Sequence, residues 1–439
     1  MKRTLVSETS ETQKGNVVLE GWVQTVRDHG KLTFFDLRDR TGVVQCIGQN
    51  LPKLSTESAI RVKGIVAERP PKLINPDIPT GKIEIQVESV DVLHQSEEMP
   101  FDMGMKELNL ELPTLLDWRP LTLKHSREQS IFRLQAGVAA GFRAKAEALG
   151  CMEIFTPTIA ASSTEGGSEV FSVKYYDHKA FLIQSPQLYK QMAVGAFERV
   201  YVMSHVYRAE PSVTTRHLSE VVQLDCELGF VNFSELLDAL EFVGVGMISH
   251  AADAYPDVLS EFKIDHPKIP TKVPRLKLRE AQQIIKDRTG RDVTEELDLN
   301  PEDEKEICAW ALETHSSDFV TITHFPTKKR AFYTAPDPED PEFSLSYDLL
   351  FRGIEISSGS QRIHDYQELT NAIVSRGMDP KEFEMYLMAF KYGMPPEGGF
   401  SFGLERITMK LLELDNVRRA SLFPRDMERV DVRLSTLKK

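Results

Sequence analysis

Over the first hundred residues apolar and polar positions alternate in short runs separated by turn formers. This pattern predicts five strands, at residues 17–26, 32–37, 42–47, 59–66 and 82–93. A stretch of helical potential, 51–58, falls between the third and the fourth. Five strands with a helix in that place describe an OB-type β-barrel, a fold that often holds single-stranded nucleic acid. The pattern lapses over 94–126, where Met99-Pro100, Leu112-Pro113 and Arg119-Pro120 interrupt a polar run. It resumes with helical period: Ile131, Leu134, Val138 and Phe142 share a face, and Gly150 stands where that helix should stop. Helices and extended runs then alternate to the end without internal repeat. The expected organisation is a barrel over 1–100, a linker over 101–130 and a larger α/β (α+β) domain over 131–439.

Strict alternation returns in Val222-Gln223-Leu224-Asp225-Cys226-Glu227-Leu228. As a strand it places Gln223, Asp225 and Glu227 on one face and the apolar residues on the other, a polar floor backed by core. Just before it, Arg208 and Glu210 share a face, and a loop over 211–216 leads into Arg216-His217. A guanidinium above carboxylates, with a basic loop beside it, suits a polyphosphate, because Arg grips phosphate oxygens in a fork. In a second cluster, a two-residue turn at Arg352-Gly353 would set Leu350 opposite Glu355 and Asp348 opposite Ser357. Asp348 and Glu355 would then be diagonal neighbours on one face, hard oxygen ligands of the kind Mg²⁺ prefers.

Two weaker patterns accompany these. Gly398-Gly399-Phe400-Ser401-Phe402-Gly403-Leu404-Glu405-Arg406 is a glycine-rich strand feeding a helix with an Arg at the junction, without the spacing of a phosphate-binding P-loop. Thr164-Glu165-Gly166-Gly167 puts a carboxylate on a loop, and Ser185-Pro186 starts a helix on which Gln187 and Lys190 lie on one side. An acid for an ammonium and a cation for a carboxylate describe an amino-acid pocket. Each cluster alone also fits plainer structure: a solvated hairpin, two unrelated surface acids, a loop entering a helix.

Composition narrows the partners. The chain has 439 residues, 41% hydrophobic, and a formal net charge of −13, which discourages non-specific binding to nucleic acid or anionic membrane. Residues 1–110 carry 14 basic and 16 acidic residues, leaving −11 for the rest, so a nucleic-acid partner meets least repulsion at the barrel. The four cysteines, Cys46, Cys151, Cys226 and Cys308, lie too far apart for a CxxC pair. No apolar run is long enough to span a membrane or serve as a secretory leader, and a cytoplasmic location is the expectation.

Taken together, these residues resemble the class II aminoacyl-tRNA synthetases, in particular the aspartyl/asparaginyl/lysyl subgroup (IIb), across nearly the whole chain. Residues 126–157 resemble motif 1, 207–227 motif 2 and Gly403–Arg406 motif 3, joined by SSTEGG, QSPQLYKQ and SGSQRIH. Lys190 and the modest length resemble the compact archaeal and eukaryotic aspartyl enzymes more than asparaginyl ones, which leaves an asparaginyl enzyme and a non-charging paralogue as alternatives. The resemblance implies an OB-fold anticodon-binding barrel before a catalytic domain built on an antiparallel sheet flanked by helices. It implies aspartate activation by ATP with Mg²⁺, transfer to tRNA(Asp), in some relatives also to tRNA(Asn) with an amidotransferase downstream, and a homodimer.

Carried over by motif, Glu165 would bind the α-amino group, while Gln187, Lys190 and Asp225 line the aspartate pocket. Arg362 would meet the side-chain carboxylate with Ser358 and Tyr333, and a neutral asparagine would leave Lys190 and Arg362 short of a counter-charge. Arg208, on both substrates, and Arg406 would be catalytic. Glu210, Arg216, His217, Leu218 and Glu355 would lie along ATP, with Gly403, Leu404 and Glu405 beside Arg406. Asp348, Glu355 and Ser358 would hold Mg²⁺. In the barrel, Phe35 and Gln45 would contact the anticodon with Phe34 facing the core. Pro211-Ser212-Val213 and Ser204-His205-Val206-Tyr207 depart from the family's pattern around motif 2.

Overall fold

The computed structural model describes residues 2–10, 15–76, 78–161, 169–210 and 214–437. The chain divides into two compact units, Met1–Leu110 and Glu111–Lys439.

The first unit is a closed barrel of β1 (Asn16–Asp28), β2 (Leu32–Asp39), β3 (Gly42–Gln49), β4 (Ala59–Glu68) and β5 (Ile83–His94), in the order β1-β2-β3-β5-β4. Closure removes the free edges that five short strands would otherwise expose. Inward residues from every strand make its core, among them Leu19, Leu37, Val44, Val62 and Ile85, all fully buried.

Two expectations are corrected here. Residues 51–58 form turns, not a helix: the Ser55 and Ser58 hydroxyls bond the Ser96 backbone, which competes with helical hydrogen bonding. Phe35 faces inward, fully buried, whereas Phe34 is half-buried with its ring 5.8 Å from that of His29. The alternation is real but its phase is the opposite of the one expected, because Phe35 shares a face with Leu37, and the core takes both.

The second unit is built on an eight-stranded sheet. Its strands are β6 (Met152–Glu153), β10 (Arg199–Tyr207), β11 (Glu220–Gly229), β12 (Arg275–Lys277), β13 (Phe319–Thr323), β14 (Ser346–Phe351), β15 (Ile354–Gln361) and β16 (Glu397–Gly403). A separate small sheet holds β7 (Ile159–Ala160), β8 (Ser172–Tyr175) and β9 (His178–Leu182). The large sheet runs β12-β13-β14-β15-β16-β11-β10-β6. It is antiparallel through its six central strands and parallel only at the two edge pairs.

Helices cover it. Ser126–Ala148 contributes Ile131, Leu134, Val138 and Phe142 to the main core, at the helical spacing read from the sequence. Phe233–Ala254 packs beside it, started by a capping box between Asn232 and Glu235. Arg119, in the stretch read as linker, is buried and donates to Glu128 at 2.8 Å. Among the described residues no helix is long and apolar enough to cross a membrane.

Candidate active site

The β10–β11 hairpin and β16 form the floor. Asp225 and Glu227 are fully buried on the polar face of β11, and Leu224, Cys226 and Leu228 point into the core. Glu227 sits against the backbone of β16, where a Cβ on Gly399 would lie 2.1 Å from its carboxylate, so only glycine fits there.

The helix Gln187–Phe197 aims Lys190 at this floor. Its ammonium lies 2.8 Å from Asp225 and 3.0 Å from Glu227. Arg362, just beyond β15, donates from Nε to Glu227 at 2.7 Å, from Nη1 to the Ser360 hydroxyl at 2.6 Å and from Nη2 to the Gly399 carbonyl at 3.1 Å. Burial alone would lower the Lys190 pKa, but the two carboxylates overcome it and hold it above the ordinary range. Burial pushes Glu227 up, yet Arg362 and Lys190 bring it down to about 2.

Above this layer opens a cleft of about 260 Å³. Gln187 and Tyr333 line it and connect it to the buried charges: Gln187 Oε1 accepts from Arg362 Nη2 at 3.4 Å, and Arg362 stacks over Tyr333 at 5.2 Å. The remaining lining is rich in cations, with Arg208, Arg216, His217 and Arg406 around Glu355 and Ser358. Partial burial, then the charges of Arg406 and Arg208, depress the His217 pKa below the usual imidazole value. Arg406 donates to the Glu355 carbonyl at 3.0 Å.

Arg352 and Gly353, with φ of 46° and 84°, form the two-residue turn joining β14 to β15. Leu350 faces Glu355 as the turn predicts, but a bulge between Leu349 and Leu350 sets Asp348 opposite Ser358 instead of Ser357. The bulge sets two of the three expected metal ligands, Asp348 and Ser358, directly opposite each other. Arg330 bridges them, donating to Asp348 at 2.8 Å and to Ser358 at 3.0 Å. Asp348 Oδ1 is buried without a hydrogen-bond partner, and burial followed by the Asp348 charge raises the Glu355 pKa. An orphaned carboxylate oxygen beside a second carboxylate fits a divalent cation. Among the described residues there is no group of three or more His, Cys, Asp or Glu arranged for one.

Several residues stand apart from the cleft surface that was expected of them. Lys190, Asp225 and Arg362 lie one layer behind it, paired with each other and with Glu227. The two buried cations therefore already have counter-charges, which corrects the expectation that only aspartate supplies one. Glu210 is exposed beside His217 and off the cleft lining. Leu404 turns into the main core, because it starts a helix whose apolar side packs there. Glu405 lines the cleft and accepts the Val222 N–H at 3.1 Å, while burial pushes its carboxyl up to about 7. Glu165 and the departing stretch Pro211-Ser212-Val213 lie outside the described residues.

Other partners had no signal in the sequence. Glu304, on the helix Pro301–His315, pairs with Arg216 at 3.2 Å and has its pKa raised to about 7 by burial and by Glu355. Nothing local in Glu302-Asp303-Glu304 distinguishes it from an acidic helix start.

In the barrel Gln45 is buried on the outer side, donating to Glu84 at 3.2 Å and accepting from Arg69 at 2.9 Å. Its cross-strand partner is Asp36, and that of Phe34 is Ile47, so Phe34 and Gln45 are diagonal neighbours on one face.

Comparison with known proteins agrees with both units. Residues 111–427 match the tRNA synthetases class II (D, K and N), and residues 17–93 match the OB-fold nucleic acid binding domain. The aspartate–tRNA(Asp/Asn) ligase of Thermus thermophilus is 41% identical, over 98% of this chain and 99% of that protein. The aspartate–tRNA(Asp) ligase of Pyrococcus horikoshii is 36% identical, over 96% and 97%. Among solved structures, asparaginyl-tRNA synthetase from Pyrococcus horikoshii complexed with asparaginyl-adenylate superposes with a TM-score of 0.89 at 30% identity, over 98% of this chain and 99% of that one.

Proposed function

The chain belongs to the class II tRNA synthetases of the D, K and N group, and from that membership we propose that it is an aspartate–tRNA ligase. It activates L-aspartate with ATP and transfers it to the 3′ end of tRNA(Asp), with tRNA(Asn) as a second acceptor. The observation that carries the reading is the arrangement of cations: Arg362 and Lys190 are held behind Gln187 and Tyr333, and these two line a cleft together with Arg208, Arg216 and Arg406. The first set suits a short acidic side chain, the second a polyphosphate.

The chemistry follows from positioning. Arg362 and Lys190 carry only donors, so they receive a carboxylate and offer nothing to the NH₂ of asparagine. With the side chain seated there, the aspartate α-carboxylate oxygen attacks the ATP α-phosphorus. Pyrophosphate leaves with the bonding electrons, and aspartyl-adenylate remains. Arg208 stabilises charge growing on the α-phosphate, and Arg406 and Arg216 hold the nucleotide in its bent pose. Asp348, Glu355 and Ser358 would hold a Mg²⁺, which would supply neutralisation of phosphate charge. The terminal ribose hydroxyl of tRNA then attacks the mixed anhydride, releasing AMP and a proton.

In the barrel, Phe34, not Phe35, stacks on an anticodon base, with Gln45 beside it for hydrogen bonding. The asparaginyl reading is less well supported, since the aspartate ligases of Thermus thermophilus and Pyrococcus horikoshii are 41% and 36% identical to this chain, against 30% for the asparaginyl-tRNA synthetase of Pyrococcus horikoshii. The name of the Thermus relative supports both acceptors, whereas that of the Pyrococcus ligase gives tRNA(Asp) alone, and a second product on tRNA(Asn) calls for a tRNA-dependent amidotransferase downstream. Homodimerisation through the motif 1 region and a cytoplasmic setting belong to the same reading.

The test is aminoacylation with labelled aspartate on tRNA(Asp) and tRNA(Asn) transcripts in parallel. Charging of both is expected. Charging of tRNA(Asp) alone removes the second acceptor, and charging of neither by the folded protein removes the reading.

A further inference from the structure

Behind Glu227 lies a third buried carboxyl that the mechanism does not use. Glu397, the first residue of β16, is fully buried, and its Oε1 accepts from Gln191 Nε2 at 2.7 Å. Gln191 is fixed in turn by the Tyr386 hydroxyl, which donates to its Oε1 at 3.1 Å. The Glu397 carbonyl accepts the Arg362 N–H at 2.9 Å, so this residue holds both the backbone and, through Glu227, the side chain of Arg362.

A charge count makes the arrangement specific. The cluster holds two cations, Lys190 and Arg362, against three carboxyls, Asp225, Glu227 and Glu397. Its ion pairs are Lys190–Asp225, Lys190–Glu227 and Arg362–Glu227, and Glu397 takes part in none of them. Three buried carboxylates against two cations would leave one charge unpaired in a dry site, which is far costlier than binding one proton. Glu397 Oε2 is buried and meets no N–H or O–H donor, while the Glu227 carboxylate lies beside it. Two carboxyls in contact share a proton, and Glu227, already ligated by both cations, is the acceptor. Burial and the Glu227 charge push the Glu397 pKa far above the carboxylate range, in keeping with that assignment.

We propose that Glu397 is a positioning residue for amino-acid selection: as a neutral acid it donates to Glu227 and, anchored by Gln191 and Tyr386, fixes the carboxylate that orients Arg362. The proposal rests on the aspartate reading of the site. It makes a pattern that a merely structural residue would not produce, because glutamine imitates a neutral acid in shape, charge and donor.

The experiment is ATP–pyrophosphate exchange on the full chain, with KM for aspartate and for ATP measured on Glu397→Gln and Glu397→Ala. Glu397→Gln should stay within about threefold of the unaltered protein in both constants, whereas Glu397→Ala should raise the aspartate KM at least about tenfold and leave the ATP KM within about threefold. Should Glu397→Ala fail to fold, Gln191→Leu carries the same expectation, a rise confined to aspartate. Loss in Glu397→Gln as large as in Glu397→Ala would overturn the proposal. So would an equal rise in both KM values, or no rise in the alanine or leucine variant. Failure of the underlying reading shows separately, as absence of aspartate-dependent exchange in the unaltered protein.

Discussion

Two charged regions share the sheet of the second unit and differ in what their charges are for. Behind the floor, Lys190, Asp225, Glu227 and Arg362 are at most 5% exposed, and each is paired inside the protein. On the cleft, Arg208 is exposed, and Arg216 and Arg406 reach Glu304 and Glu355 at 3.2 and 3.8 Å. A charge that must recognise one small carboxylate is desolvated and locked by its neighbours before the ligand arrives. Charges that must grip a flexible polyphosphate stay wet and exchange partners cheaply. Stability and activity should therefore be coupled in the first region and separable in the second.

Arg362→Leu tests the coupling with the largest effect. It leaves Glu227 with one cation fewer in a buried site, so stability should fall by about 3–5 kcal/mol. Aspartate-dependent exchange should fall by roughly 10³-fold or more, which denaturation curves and exchange assays read independently. Arg208→Ala tests the separation. Exchange should drop by about 10²–10³ while the melting temperature stays put, since an exposed side chain away from the core shifts stability by only about 0.5 kcal/mol. A matching loss of stability would erase the distinction between the two regions.

Glu405 sharpens the boundary, being buried like the first region yet lining the cleft of the second. Its folded pKa of about 7 exceeds that of an unfolded glutamate, near 4.3, so the folded state binds the extra proton. Its contribution to stability is fully present below the unfolded value and is lost as pH rises to about 7. Glu405→Gln cannot lose it. The variant should gain on the unaltered protein by up to about 4 kcal/mol between pH 4.3 and 7, then run parallel above that, in chemical denaturation at a series of pH values. A smaller effect is expected in the barrel, where Phe34→Ala should weaken tRNA charging by about 1–3 kcal/mol without changing adenylate formation. Phe35→Ala should instead destabilise the barrel.

Much of this was legible in the sequence wherever a period of two or 3.6 met a strong turn. Alternation placed Asp225 and Glu227 on one face of β11, and the Arg352-Gly353 turn set Leu350 opposite Glu355. What escaped was decided by packing. In Phe34-Phe35 either ring satisfies the alternation, and only the closed barrel selects Phe35 for its interior. The bulge at Leu349/Leu350 moved Asp348 by one partner, and no residue there announces it. Glu304, Arg330 and Glu397 reach the site from distant segments whose local sequence reads as ordinary surface or strand. Their significance comes from the charges they meet.

The central claim is that the buried donors behind Gln187 and Tyr333 select a carboxylate, and the direct measurement is ATP–pyrophosphate exchange with aspartate and with asparagine under identical conditions. The account predicts kcat/KM for aspartate exceeding that for asparagine by at least about 10³. Comparable values for the two amino acids, or a preference for asparagine, would contradict it.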